Sequence, residues 1–198
     1  MSWREVLSSD YQKKILEISS IFSSFKKTSS NGMLDVIDVI RQYSGDILII
    51  GGIARSYYTS ARNTSDIDLL FLNEENVQRF LKLMAGNYTR IPGRNHAVKV
   101  LSVEVELLTP EFLQLDSSIS DFVFSTKVLT DLDLYVPSVE GFILLKCMRM
   151  SQTDEDDIRA VIQSHSSNID FSKIYNLLSS ERRSRLEDLV KENKGFFR

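Results

Sequence analysis

The segment from Ile47 to Phe71 constrains this chain more than any other. Four apolar residues, Ile47, Leu48, Ile49 and Ile50, run into Gly51-Gly52, an amphipathic stretch follows, and Asp66-Ile67-Asp68-Leu69-Leu70-Phe71 reads as a second strand. Side chains alternate across a strand, so Asp66 and Asp68 share one face while Ile67, Leu69 and Phe71 share the other. Aspartate is disfavoured in strands, and like charges side by side repel. Two strand positions given to aspartate therefore point to a cation. Same-face neighbours lie about 6.5–7 Å apart along the backbone. Their carboxylates can converge on one divalent ion, or on two ions about 3.5–4 Å apart.

All-oxygen ligation selects Mg²⁺ or Mn²⁺. Zinc prefers histidine and cysteine, and the chain holds two histidines and one cysteine, none beside this segment. Gly51 and Gly52 close the buried strand and open a helix expected over 53–60. Without Cβ atoms the backbone can approach a ligand, and the N–H groups of a helix start can hold phosphate oxygens. Phosphate at the glycines and metal at the aspartates describe a metal–nucleoside triphosphate site.

Further candidates surround it. Val103-Glu104-Val105-Glu106-Leu107-Leu108 alternates as a strand and ends at Thr109-Pro110, a helix-start pair. Glu104 and Glu106 share a face, and each is either a third carboxylate or a solvated edge residue. Arg55 lies in the first turn after the glycines, where a cation is disfavoured unless an anion binds nearby. Arg62 precedes the aspartates, and a planar guanidinium suits phosphate. Lys146 sits among Phe142, Ile143, Leu144, Leu145 and Met148, so it either snorkels to water or points into a site. The acids Asp154, Glu155, Asp156 and Asp157 complement the dipole of a helix start. His96 and His165 have no partner at ligand spacing, Cys147 reads as core packing, and Trp3 reads as a helix anchor.

Hydrophobic-Gly-Gly, a short helix and Asp-hydrophobic-Asp together resemble the nucleotidyltransferase superfamily that includes DNA polymerase β. GGIARSYYTSARNTSDIDLLF is similar to the first motif of the abortive-infection toxin nucleotidyltransferases of the AbiEii and AbiGii type. In those an arginine commonly precedes a Ser/Thr and the Asp-x-Asp pair, as Arg62, Thr64 and Ser65 do here. VPSVEGFILLKCMRMSQTDEDDIRAVI, Val136 to Ile162, is similar to their second conserved block. The resemblance implies that Asp66, Asp68 and Glu106 hold Mg²⁺ or Mn²⁺, although most relatives carry aspartate at the third position. It implies that Gly51, Gly52, Arg55, Arg62, Ser65 and Lys146 bind the nucleotide. Asp154 and Asp157 become the family's acidic positions, with Asp157 positioning Lys146 or an attacking hydroxyl. The implied activity transfers a nucleoside monophosphate from an NTP to an acceptor hydroxyl. The acceptor is the 3′ end of tRNA in toxin relatives, with an antitoxin partner, and a protein or small molecule in other members. A nucleotide-binding regulator with little turnover stands as the alternative.

At 198 residues, 42% hydrophobic and 26% charged, the chain fits one domain, or a core with a helical appendage. The net charge of −3 gives no global field for nucleic acid. Local basic candidates are Arg90, Arg94, His96 and Lys99 around Pro92-Gly93, and the tail Arg182, Arg183, Arg185, Lys191, Lys194 and Arg198. One cysteine, a non-secretory start and no membrane-length run fit a cytoplasmic protein. The expected fold is α/β, a small mixed sheet flanked by helices, with a C-terminal helical bundle. Residues 1–136 form the core with N-terminal helices, and 137–198 complete the cleft. Helical stripes are expected at Tyr11 to Phe25 and Met33 to Ile40, broken at 30–32. Strands are expected at 46–50, 66–72, 87–91, 97–101, 103–108, 121–129 and 132–136, with helices over 74–85, from Pro110 and from Ser138 onward.

Overall fold

The computed structural model describes residues 30–59, 64, 66–84, 87–100, 103–165 and 167–195. The expected stripe from Tyr11 to Phe25, Trp3, Arg62, Ser65 and Arg198 lie outside the described residues. The chain is α/β, with a five-stranded mixed sheet flanked by helices and a helical C-terminal region.

Helix α1 (Ser30–Gln42) buries Val36, Ile37 and Ile40, and the Ser-Asn-Gly expected to interrupt the chain forms its first turn. The apolar run supplies β1 (Ile47–Ile49), fully buried. Helix α2 (Gly51–Tyr58) starts at the diglycine, and β2 (Asp66–Phe71) returns antiparallel to β1, with Ile49 opposite Leu69. Asn73 then caps α3 (Glu74–Leu83), its side chain accepting from Asn76 N–H. Val77, Phe80 and Leu81 bury that helix. Phe71 and Phe80 pack with ring centroids 5.2 Å apart, and Tyr43 meets both edge-on. These apolar contacts cover the β2 face that holds Ile67, Leu69 and Phe71.

A hairpin of β3 (Thr89–Ile91) and β4 (Arg94–Val100) turns at Gly93, whose φ is +77°. Strand β5 (Val103–Leu108) follows, giving the order β1-β2-β5-β4-β3. The pairing of β2 with β5 is parallel, in the register Asp66 opposite Glu104 and Asp68 opposite Glu106. The acids of both strands thus rise from one face, toward the C-terminal helices rather than α3.

Two expectations fail between β5 and the next helix. No helix starts at Pro110; residues 110–114 form turns, with Gln114 at φ +54°, although Thr109 Oγ1 still accepts from Phe112 N–H. Of the segment expected as extended over 121–129, residues 121–125 belong to α4 (Ser117–Ser125) and only Val128–Leu129 is strand. Ile119, Ser120, Val123 and Phe124 are buried at helical spacing. The aromatic and β-branched residues Phe122, Val123 and Phe124 favour strands intrinsically, and packing of one helical face overrides that preference. A minimal hairpin, β6 (Val128–Leu129) with β7 (Tyr135–Val136), precedes the helices.

Ser138 caps α5 (Val139–Arg149), accepting from Gly141 N–H at 3.1 Å. Met150, left-handed at φ +53°, ends it. Helix α6 (Gln152–His165) packs against α5, and α7 (Phe171–Tyr175) and α8 (Ser180–Gly195) complete the region.

Candidate active site

The site begins with a conformational demand at the strand–helix junction. Gly51 sits at φ +62°, and a Cβ there would stand 1.7 Å from Asp68 Oδ2. Only glycine fits both the backbone and the space. At Gly52 a Cβ would meet Thr64 Cβ and Oγ1 at 2.8 Å. The β1–β2 pairing extends into the junction, where Ile50 N–H donates to the Asp68 carbonyl at 2.9 Å. That bond fixes the diglycine turn against the second aspartate.

Asp66, Asp68 and Glu106 line one cavity of about 610 Å³, together with Gly51, Gly52 and Thr64 on one side and Phe142, Leu145, Lys146 and Arg149 of α5 on the other. Thr64, 8% exposed, donates its hydroxyl to Asp66 Oδ1 at 2.7 Å. Burial, then the charges of Asp66 and Glu106, push the Asp68 carboxyl up to about 7. Lys146 opposes that rise weakly. Burial together with neighbouring carboxylates raises a carboxyl in this way. The hard oxygen donors, the crowding and the glycine cradle fit Mg²⁺ or Mn²⁺. Among the described residues, no three His, Cys, Asp or Glu side chains are placed so that they could together hold a metal ion as they stand. The carboxylates of Glu106 and Glu104 both accept from the guanidinium of Arg94.

Lys146 is 13% exposed and its ammonium is gripped by two buried carboxylates, Asp154 Oδ1 at 3.1 Å and Asp157 Oδ2 at 2.8 Å. Asp154 also accepts from Arg149 Nε at 2.6 Å and from the Ser151 hydroxyl at 2.6 Å. Burial raises the Asp154 carboxyl, but the hydrogen bonds of Arg149, Ser151 and Lys146 outweigh it and hold it well below the usual range. Asp157, 1% exposed, lies behind the cavity wall and grips Lys146. Arg55, expected at the phosphates, forms an ion pair with Asp157, Nε to Oδ1 at 2.8 Å. In the last turn of α2, its charge is offset by that buried carboxylate.

The structure therefore gathers Gly51, Gly52, Asp66, Asp68, Glu106 and Lys146 around one cavity and sets Arg55 and Asp157 behind it. Sequence reasoning missed Thr64 as a partner of Asp66, Arg149 as a cavity residue, and Arg94 as the partner of Glu106. Thr64 lay in the quoted motif; Arg94 was read only as part of a basic surface patch.

The other candidates are placed plainly. His165 meets the Tyr58 carbonyl at 2.6 Å and His96 lies against Phe112 with ring centroids 4.4 Å apart. Cys147 is buried, which pushes its thiol up to about 12. Among the described residues of the basic tail, four side chains bond within the molecule. Arg185 pairs with buried Glu155, Arg183 with Glu187, Lys191 with Asp188, and Arg182 donates to the Met148 carbonyl.

No protein-family model matches the chain, and no curated protein matches its sequence. Solved structures do. A crystal structure of ANT(2″)-Ia in complex with adenylyl-2″-tobramycin aligns at 12% identity over 94% of this chain and 99% of that one, with a TM-score of 0.46. The solution structure of the antibiotic-resistance factor ANT(2″)-Ia aligns at 12% identity over 83% of this chain and 96% of that one, with a TM-score of 0.50. That last likeness establishes the architecture: the chain has a nucleotidyltransferase-like fold.

Proposed function

We propose that this chain is a metal-dependent nucleotidyltransferase that moves a nucleoside monophosphate from an NTP to an acceptor hydroxyl and releases pyrophosphate. One observation carries the reading: the parallel register of β2 and β5 puts Asp66, Asp68 and Glu106 on one face, against a glycine that only its positive φ and missing Cβ admit. Asp66, Asp68 and Glu106 are the residues that would hold Mg²⁺ or Mn²⁺, which when bound supplies positive charge to the triphosphate. N–H groups at the start of α2 bind phosphate oxygens, and the absent Cβ atoms let the phosphates approach. Arg62 and Ser65 of the first motif join them. The acceptor oxygen forms a bond to the α-phosphorus, the bond to the β-phosphate oxygen breaks, and the hydroxyl proton passes to the carboxylate cluster. Lys146, aimed by Asp154 and Asp157, and Arg149 beside it offset the charge that develops on the leaving pyrophosphate.

The acceptor this surface favours is a small hydroxyl compound. A polyanion would need free basic side chains, and among the described residues of the tail four bond within the molecule. The resistance factor of like fold agrees with that class. The tRNA 3′ end, with the toxin role, the antitoxin partner and the closeness to the AbiEii type, is the competing acceptor class the sequence resemblance implies. Residues 137–198 act as the part that closes the cleft over the sheet. A second reading, a nucleotide-binding regulator with little turnover, is favoured by a glutamate, Glu106, at the third carboxylate position.

Labelled NTP with Mg²⁺, offered an aminoglycoside panel, bulk tRNA and cell protein in parallel, separates these. Label on a small hydroxyl compound that disappears in Asp68→Ala supports the proposal. Label on tRNA moves the acceptor to the toxin class, and saturable NTP binding without transfer to any acceptor supports the regulator.

A further inference from the structure

Arg94 contacts the acidic face directly. Two of its guanidinium nitrogens donate separately, one to Glu104 and one to Glu106. Glu104 stands opposite Asp66 in the parallel register, and Glu106 opposite Asp68. Glu106 is thus held from one side by Arg94 and stands level with Asp68 on the neighbouring strand. Glutamate has one more rotatable bond than aspartate, so it costs more to fix in a ligating posture. A planar guanidinium that bridges two carboxylates supplies that fixation, because its donors point in set directions.

We infer that Arg94 is a positioning residue for the metal site: bridging Glu104 and Glu106, it holds the Glu106 carboxylate against Asp68. The inference rests on the proposed function. It assigns the two glutamates different tasks, with Glu106 facing the cation and Glu104 anchoring the arginine. Groups that orient a metal ligand are worth about 10–100-fold in metal affinity. The sign is what makes the claim exposed to test. Removing a nearby positive charge by itself tightens cation binding, so only an orienting role predicts a loss.

The experiment titrates Mn²⁺ alone into the full chain, reading free Mn²⁺ by electron paramagnetic resonance, with thermal unfolding of each protein beside it. Arg94→Ala is expected to weaken Mn²⁺ binding at least about tenfold. Arg94→Lys restores only part of it, because an ammonium lacks the fork. Arg94→Gln, which also removes the positive charge but keeps a side chain of similar length, is expected to weaken binding likewise and decides the matter should Arg94→Ala fail to fold. Unchanged or tighter Mn²⁺ binding in Arg94→Ala or Arg94→Gln, with binding lost in Asp68→Asn, overturns the positioning role and leaves the metal site standing. Wild-type affinity in Asp68→Asn overturns the metal site itself.

Discussion

Residue by residue, the site is a conflict between space and charge. Gly51 tolerates what no other residue does. Gly51→Ala is expected to cost about 1–3 kcal/mol from the left-handed backbone alone, and more from a Cβ placed 1.7 Å from Asp68 Oδ2. Urea unfolding of the variant measures it, and a cost near zero would mean that the turn is not as described. Asp68 carries the charge side. Its folded value of about 7 lies above the ordinary aspartate value of 3.8, so the folded state holds a proton the unfolded state gives up. The stability it contributes is full below about pH 4 and is lost as pH rises toward about 7. In chelator, Asp68→Asn is therefore expected to gain stability relative to wild type between pH 5 and about 8, in paired urea curves. A gap independent of pH would contradict it. The common face of Asp66 and Asp68 was legible in the sequence because strand alternation is local. Arg94 was not, because a hairpin brings it onto residues 10 and 12 positions away.

At the scale of elements, α5 and α6 are pinned by charge at their junction. Asp154 serves Lys146, Arg149 and Ser151 at once. Asp154→Ala should destabilise by about 3 kcal/mol, the lower end for breaking a buried pair, since Arg149 is 70% exposed and rehydrates. Its carboxyl is depressed in the folded state, so the stability it lends is complete above the unfolded value and falls as pH drops through the folded one. Acid unfolding of wild type and Asp154→Ala should converge at low pH; a constant gap would refute the clamp. Strand β5 was legible to its ends, since period-two alternation bounded by Thr109-Pro110 admits one reading. Helix α4 was not, because short aromatic and β-branched runs suit either structure until a neighbour packs on one face.

Across the whole molecule, the sequence disclosed a small mixed sheet with helices around it, but not the order of its strands. Local pattern carries no information on which distant strand lies beside β2, and that adjacency is what builds the site. The parallel neighbour turned out to be β5, bringing Glu106 level with Asp68. Lys146 enters from the opposite wall on α5. The central claim is that a divalent ion and a nucleotide meet between these walls. Anomalous diffraction from crystals grown with Mn²⁺ and a non-hydrolysable NTP tests it most directly. The account predicts a manganese peak bounded by Asp66, Asp68 and Glu106, with the phosphates against Gly51 and Gly52. A nucleotide bound elsewhere, or no peak among those carboxylates, would contradict it.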